Sequence, residues 1–436
     1  MKVIVIGGGW SGCAAALSAV KQGADVTLIE RTDMLLGTGL VGGIFRNNGR
    51  FTAAEEAIAM DGGELFQLMD QHSLHQNMEF PGHKHASLYN ITTMEPAVTR
   101  LLAENGVRLK MSTRVTDVGM KGNRLQAVMT GKKDEDERFE ADAFVETTGT
   151  SAVPRVCNQY GNGCCMCVFR CNVFGPRVSV AGRAGVSEIT GRKGNQVGAM
   201  SGSCELMRDT LAPDVLDDMR RTGMAMRPLP THGSDGSQLD LKACQQYSQA
   251  EYKTNVVVLD TGGAKLMTPF LPLNVLRMVP GFEKARYADP FGGGRGNSIR
   301  YIDMSPRNDA LKVDGLENVF CAGEKAGLLV GHTEAIVTGT LAGYNAARCA
   351  AGEEPLVVPD SLGLGDAVKH VREQMQTEKG LGMKFTFSGS VYFERMKQRD
   401  GYILDIAEIR RRVAKAGMTN IFARSEGASK TRRATA

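Results

Sequence analysis

Lys2-Val3-Ile4-Val5-Ile6-Gly7-Gly8-Gly9-Trp10-Ser11-Gly12 is the stretch on which the reading of this chain turns. The β-branched run to Ile6 reads as a buried parallel strand, and the six residues after it fit G-x-G-x-x-G. Cys13 to Gln22 is Ala-rich and helical, Gly23 ends the helix, and Ala24 to Ile29 is a second strand closing on Glu30. Each part has a physical task. Gly7 makes the tight turn, Gly9 lets the backbone approach a diphosphate, and Gly12 lets the helix pack closely on the strand. The helix start offers free N–H groups and positive partial charge to phosphate. Glu30, 18 residues after Gly12, stands where an acid accepts hydrogen bonds from ribose hydroxyls. The order predicts a dinucleotide site, and an acid at that position disfavours a phosphorylated ribose.

Working outward, 436 residues with 42% apolar and 23% charged side chains make a globular chain of two to three domains. That balance excludes a disulfide-stapled miniprotein, a collagen-like fibre and a disordered chain. No apolar run approaches the ~18–20 residues of a membrane-spanning helix. One Trp and 6% aromatics argue against a stacking surface as the main feature. The net charge of +4 is unevenly placed: Glu408 to Ala436 holds six Arg and two Lys against two Glu, so the tail is basic and the body near neutral. A basic tail is an RNA contact or a solvated terminus. With no charged segment before the first strand, the reading is a cytoplasmic protein with reduced cysteines.

Three further segments carry a family resemblance. Gly37, Gly39, Gly42 and Gly43 follow Glu30, then Phe45-Arg46-Asn47-Asn48-Gly49-Arg50. Asp142 to Gly149 is a strand ending in Thr147-Thr148-Gly149, and Gly315 to Glu324 is a strand closing in Ala322-Gly323-Glu324. Together with the opening loop these resemble the glutathione-reductase-like flavoproteins, which implies FAD. The string from Ala322 through Glu334 to Arg348 resembles the closing segment of the GidA-like enzymes and of the folate- and FAD-dependent tRNA uridine methyltransferases. The resemblance implies cofactor contacts at Gly7, Gly9, Gly12, Glu30, Arg31, Gly42, Gly43, Val115, Thr148, Gly149, Gly323, Glu324 and Gly331, with His332 at a helix start beside the flavin. The methyltransferases carry a cysteine after the glycine region, whereas Phe45 to Arg50 has none.

Between these segments, Thr92 to Glu104 has helical periodicity, and Val107–Lys110, Arg114–Val118 and Arg124–Thr130 read as strands, with Gly131 to Arg138 as a charged turn. From Ser151 the pattern loosens into an inserted substrate domain. It opens on Cys157-x6-Cys164-Cys165-Met166-Cys167-x3-Cys171. Thiolates at that spacing converge on one centre and select iron–sulfur or zinc, so Cys157, Cys164, Cys167 and Cys171 are the candidate metal ligands. Cys167 and Cys171, with His332, are the candidate catalytic residues. An iron–sulfur cluster, a redox-active dithiol facing the flavin, and incidental cysteines with a structural zinc stay open. Cys13, Cys204, Cys244, Cys321 and Cys349 read as apolar fillers. His83-Lys84-His85 reads as solvated surface. Arg46, Arg50 and Arg177 read as an anion clamp or as ordinary ion pairs, and Asp289 to Gly296 as a mobile loop.

The expected fold is α/β: a Rossmann-like FAD domain from 1–150 and 266–358, with helices on one face of a parallel sheet and a β-meander on the other. Residues 151–265 form the insert and 359–436 a helical cap with the basic tail. The expected function is an FAD-dependent oxidoreductase passing hydride or electrons through the flavin, with the cysteines beside it. A folate- and FAD-dependent RNA uridine methyltransferase and a flavin-bearing RNA- or protein-binding module are the alternatives. The partners are a small-molecule substrate or a redox protein, with RNA through the tail and no membrane; oligomerisation stays open.

Overall fold

The computed structural model describes residues 1–131, 137–149, 178–193, 196–197, 199–200, 204–230, 249–268, 271–288, 299–300 and 303–425. The Lys2–Ile6 run is a strand (β1), followed by a helix Trp10–Lys21 (α1) and a strand Asp25–Ile29 (β2). Strands Arg108–Lys110 (β3), Ala143–Glu146 (β4) and Val319–Cys321 (β5) complete a parallel sheet of order β5-β4-β1-β2-β3. Its strands are apolar on both faces, as a sheet covered on two sides requires. Val3, Val5, Val26, Leu28, Phe144, Val145, Val319 and Phe320 are all buried.

Small residues set how closely the layers approach. Helix His332–Ala350 (α2) lies against α1. A Cβ at Gly339 would overlap the carbonyl of Ser11, and one at Gly343 the carbonyl of Ala15. Gly12 meets the carbonyl of Gly7 in the same way. The glycine and alanine content of α1 and α2 therefore lets backbone pack on backbone. A branched side chain at Gly339 or Gly343 would hold α1 and α2 apart, and one at Gly12 would push α1 off the end of β1.

The expected strands of the meander are present at Val115–Lys121, Arg124–Thr130 and Glu137–Glu140, paired antiparallel. Part of the expected charged turn, Glu137 and Arg138, is strand. Ile91–Glu104 is helical, capped by the Asn90 side chain on the Thr92 amide. Unexpected from sequence is a three-stranded sheet of Ile44–Phe45, His83–Tyr89 and Ser73–Phe80. It packs on a second, four-stranded sheet built from Cys204–Leu206, Ala264–Leu266, Asn255–Asp260 and Met224–Pro228. Alternation along Asn255–Asp260 divides the two faces. Val256 and Val258 join Leu206, Met219 and Phe282 in one core; Val257, Leu259 and Met267 join Ile44, Ala86 and Leu88 in another. Beyond α2, helices Gly363–Gln374, Ser390–Gln398 and Ile406–Lys415 form the C-terminal piece, where Arg395 grips Asp366 with two hydrogen bonds at 2.6 and 2.9 Å.

Gly343→Val should destabilise the chain by about 1–3 kcal/mol through overpacking, read as a lower urea midpoint with unchanged slope. An unaltered midpoint would mean that α1 and α2 do not meet through bare backbone.

Candidate functional site

The strand order places a topological switch. From β1 the chain moves outward through β2 and β3, then returns to the other side of β1 as β4 and β5. In such sheets the crevice at the carboxyl ends of the two strands that flank the switch binds ligands. Here that crevice lies between Gly7 and Thr147. Gly7 has φ +104°, and its missing Cβ would sit 2.5 Å from the Thr147 carbonyl oxygen. The Thr147 hydroxyl donates to the carbonyls of Ile6 (2.9 Å) and Gly7 (2.7 Å), locking the two strand ends together. Thr148 donates to Glu146 at 2.9 Å, and Gly149 turns away at φ +68°.

The α1 start has Gly9 as its N-cap, with no side chain capping it, so its first amides stay available. A Cβ built on Gly9 meets nothing within 4 Å. The loop is thus bare on the side a ligand approaches. Glu30 is buried at the end of β2, where it accepts from the amides of Gly8 (2.6 Å) and Thr32 (2.8 Å) and from the Thr32 hydroxyl (2.8 Å). A carboxylate has about four lone-pair sites, so one remains for a ribose hydroxyl. Val115 is buried at the start of its strand. Gly323 follows β5 at φ +63°, its amide donating to Thr338 of α2 at 3.0 Å and its face turned to Ser11. Bare amides, an uncapped helix and a held acid fit the diphosphate and ribose of a dinucleotide.

Further along the same crevice, Gly37–Val41 forms a 3₁₀ turn that leads to Gly42 and Gly43. Its backbone is held from several sides. The Leu36 amide donates to Gly8 at 2.7 Å, Tyr89 donates to the Gly39 carbonyl at 3.2 Å, and Lys265 donates to the Val41 carbonyl. A Cβ on Gly42 would overlap the His332 ring, and one on Gly43 would overlap Thr261. Trp10, Tyr89 and His332 gather around the turn with ring centroids 5.9–6.3 Å apart. His332 is the first residue of α2, after Gly331 at φ +148°, as the sequence led one to expect. Glu334, in that first turn and fully buried, accepts from Arg50 (both oxygens at 3.1 Å), Thr386 (2.6 Å) and the Phe387 amide (2.8 Å).

Several expectations change. His83 is not surface: it is 2% exposed, stacked on Phe80 at 4.3 Å, with Nδ1 2.8 Å from the Asn47 amide nitrogen. The hairpin Ser73–Tyr89, invisible to motif reading, turns it inward. Arg46 and Arg50 are no anion clamp. Arg46 is buried at φ +59° and bonded to Asp70 and Glu55, and Arg50 is committed to Glu334. Cys13 and Cys321 are buried fillers, and burial pushes the Cys321 thiol up to about 12; Cys349 is only half-buried. Cys157, Cys164, Cys167, Cys171, Arg177, Cys244, the Asp289–Gly296 loop and the tail after Ser425 lie outside the described residues. Among the described residues no group of three His, Cys, Asp or Glu is placed to hold a metal, and no helix is long and apolar enough to cross a membrane. Sequence reading missed Tyr89, Glu205, Thr261 and Lys265. The signal available for the last was a lone lysine inside the alternating Ala264-Lys265-Leu266 strand.

Two family models match the chain: FAD dependent oxidoreductase over residues 2–157 and glucose inhibited division protein A over residues 248–354. Among curated proteins it is similar to methylenetetrahydrofolate–tRNA-(uracil-5-)-methyltransferase of Moorella thermoacetica, 34% identical over 24% of this chain and 23% of that one. The same enzyme of Streptococcus sanguinis is 36% identical over 22% of this chain and 21% of that one. These matches therefore span about a fifth of the relatives' own length. Two crystal forms of Aquifex aeolicus GidA share the fold, with TM-scores of 0.68 and 0.67 at 18% identity, covering 99% and 98% of this chain and 75% and 77% of theirs. The fold is GidA-like, with a Rossmann-type parallel sheet.

Burial, and secondarily the Arg50 charge, lower the His83 pKa to about 3. Unfolded histidine titrates near ~6.5. Between those values the unfolded chain binds the extra proton, so stability rises with pH there and falls as acid is added, by up to about 1.4 kcal/mol per pH unit. Ring-nitrogen NMR should find His83 neutral at pH 5, and a ring that charges near pH 6 would remove it from the core.

Proposed function

We propose that the chain is an FAD-dependent enzyme that modifies a uracil base in RNA, with the flavin supplying hydride chemistry when bound. The observation that carries the cofactor is the switch-point crevice, where an uncapped helix, the bare Gly9 face and the held Glu30 carboxylate converge. The FAD-dependent family model over this same segment supports it, and the tRNA-uracil relatives support the substrate. In this reading Gly7, Gly9 and Gly12 present amides to the diphosphate, and Glu30, flanked by Arg31, takes a ribose hydroxyl. Val115, Thr148 and Gly149 border the cofactor, and Gly323 with Glu324 closes on it from β5.

The chain's other groups position and shield. Gly42 and Gly43 keep the turn flat where Tyr89 and His332 stand, and Gly331 brings the α2 start, with its positive dipole end, to that place. His332, beside the Tyr89 hydroxyl at 3.4 Å, is the group proposed to meet the reacting ring. Trp10 and Tyr89 wall the turn with buried aromatic surface, which keeps water from it. We assign cofactor binding to 1–150 and 288–358, since Leu271, Leu276, Phe282 and Tyr287 pack in the core of the preceding, four-stranded sheet. Substrate contact falls to 151–265 and the segment to Tyr287 that shares its core, and residues 359–436 are a cap. Phe45 to Arg50 holds no cysteine, and its arginines are spent on ion pairs, so no thiol step is placed there. A hydride-transfer oxidoreductase without an RNA substrate is the second reading, favoured by the FAD-dependent oxidoreductase model over residues 2–157.

Gly9→Asp separates ligand from fold. Aspartate is a good N-cap and the position is sterically open, so flavin-free stability should hold or rise by up to ~1 kcal/mol. Its charge faces the diphosphate, so FAD affinity should fall at least ~100-fold, or about 2.7 kcal/mol, by absorbance titration. Undiminished FAD binding would place the cofactor elsewhere. Label passing from methylene-tetrahydrofolate into uridine of transfer RNA would favour base modification; flavin turnover with no RNA dependence would favour the oxidoreductase.

A further inference from the structure

Strands Cys204–Leu206 and Ala264–Leu266 run antiparallel, and their register sets Glu205 opposite Lys265. Directly opposed side chains share one face of the sheet, with Cβ atoms ~4.5–5.5 Å apart. Leu206, Ala264 and Leu266, their alternating neighbours, point into the opposite core. Glu205 and Lys265 thus face the glycine turn, and Lys265 reaches it through the Val41 carbonyl. The residue Glu205 is only half-buried as a whole, but both carboxylate oxygens are sealed from solvent, and neither has a hydrogen-bond partner among the described residues. Gly263 leaves the space its carboxylate occupies: a Cβ there would sit 2.6 Å from Oε2. Thr261, whose methyl touches Gly43, also has a buried hydroxyl with no partner among the described residues.

Buried polar groups are nearly always satisfied, because leaving a bond of this kind unmade keeps the full desolvation penalty. The neighbouring acid shows the contrast. Asp260 is fully engaged by Arg208 at 2.5 Å, His75 at 3.4 Å and the Gly262 amide at 3.2 Å. Glu205 has been left open. Burial pushes its carboxyl above the usual range, and the Lys265 charge and the nearby Ala264 amide offset this only in part. An anion at this place would meet the carboxylate and a cation would meet the ammonium. A neutral group that offers a donor beside an acceptor suits both.

We propose that Glu205 and Lys265 read the cyclic-imide edge of a pyrimidine-type ring, Glu205 accepting from the ring N–H and Lys265 donating to the adjacent carbonyl. This rests on the flavoenzyme reading above, and two ligands carry that edge: a uracil base and the flavin's own pyrimidine ring. The proposal makes Glu205 and Lys265 specificity-determining rather than structural.

The test uses the full chain, its Glu205→Leu and Lys265→Met variants, and Glu205→Gln should the leucine variant fail to fold. Titrations with FAD are followed by flavin absorbance. Titrations with uridine 5′-monophosphate and its N3-methyl analogue are followed by fluorescence of Trp10, the only tryptophan, which stands beside the turn. Where uracil is the ligand, the wild type binds the unmethylated nucleotide at least ten-fold more tightly. The variants then lose that preference to within two-fold while FAD affinity holds. Where the flavin ring is the ligand, FAD affinity falls at least ten-fold in the variants instead. Both the preference and FAD affinity staying within two-fold of wild type would overturn the proposal. A wild type that binds no FAD fails the cofactor reading, and the nucleotide arm still decides this one; binding of neither ligand ends both.

Discussion

The contact between Thr147 and Gly7 holds the site in place. One hydroxyl bonds the last carbonyl of the central strand and the first of the glycine turn, and it does so at the point where the sheet reverses direction. Gly7 must be glycine there because its φ is positive and because the Thr147 carbonyl stands where a Cβ would go. Gly12 must be glycine because Gly7 itself is in the way. Strand, turn and helix therefore support one another in a single arrangement, which leaves the amides at the helix start pointing into an open crevice.

A second constraint joins distant parts of the chain around the Gly37–Gly43 turn. His332 and Thr261 press on Gly42 and Gly43, which have no side chains to resist them, while Tyr89 and Lys265 hold the Gly39 and Val41 carbonyls. In the Arg50–Glu334 pair the carboxylate is fully buried with its partners Thr386 and Phe387, while Arg50 keeps a small exposed part. Such a pair is weak as a net source of stability, but removing one partner leaves a costly buried charge. Its role here is to register the C-terminal segment against the first hundred residues.

Legibility followed range. The Lys2–Gly12 loop, the Arg124–Thr130 strand, the Ile91–Glu104 helix and the His332 helix start were readable because local spacing and turn chemistry determine them. The sheet of Ser73–Tyr89 was not, since its register bulges break the alternation that would announce a strand. His83 followed the same error, because a histidine beside lysine looks solvated until a hairpin turns it inward. Arg46 and Arg50 could be read as an anion clamp or as ordinary ion pairs, and the fold decides for pairing, with Glu55, Asp70 and Glu334, acids beyond the reach of local spacing.

Taken alone, the amino-acid order determines the opening strand, the glycine turn, the helix after it and the second strand that closes on an acid, because each is set by neighbours within a few residues. Only the folded molecule decides which polar side chains are spent and which are open. Asp260 is consumed and Glu205 is not, although both are acids on one small sheet. That difference depends on which strands lie side by side and on what the opposing backbone supplies, and neither is written in local spacing.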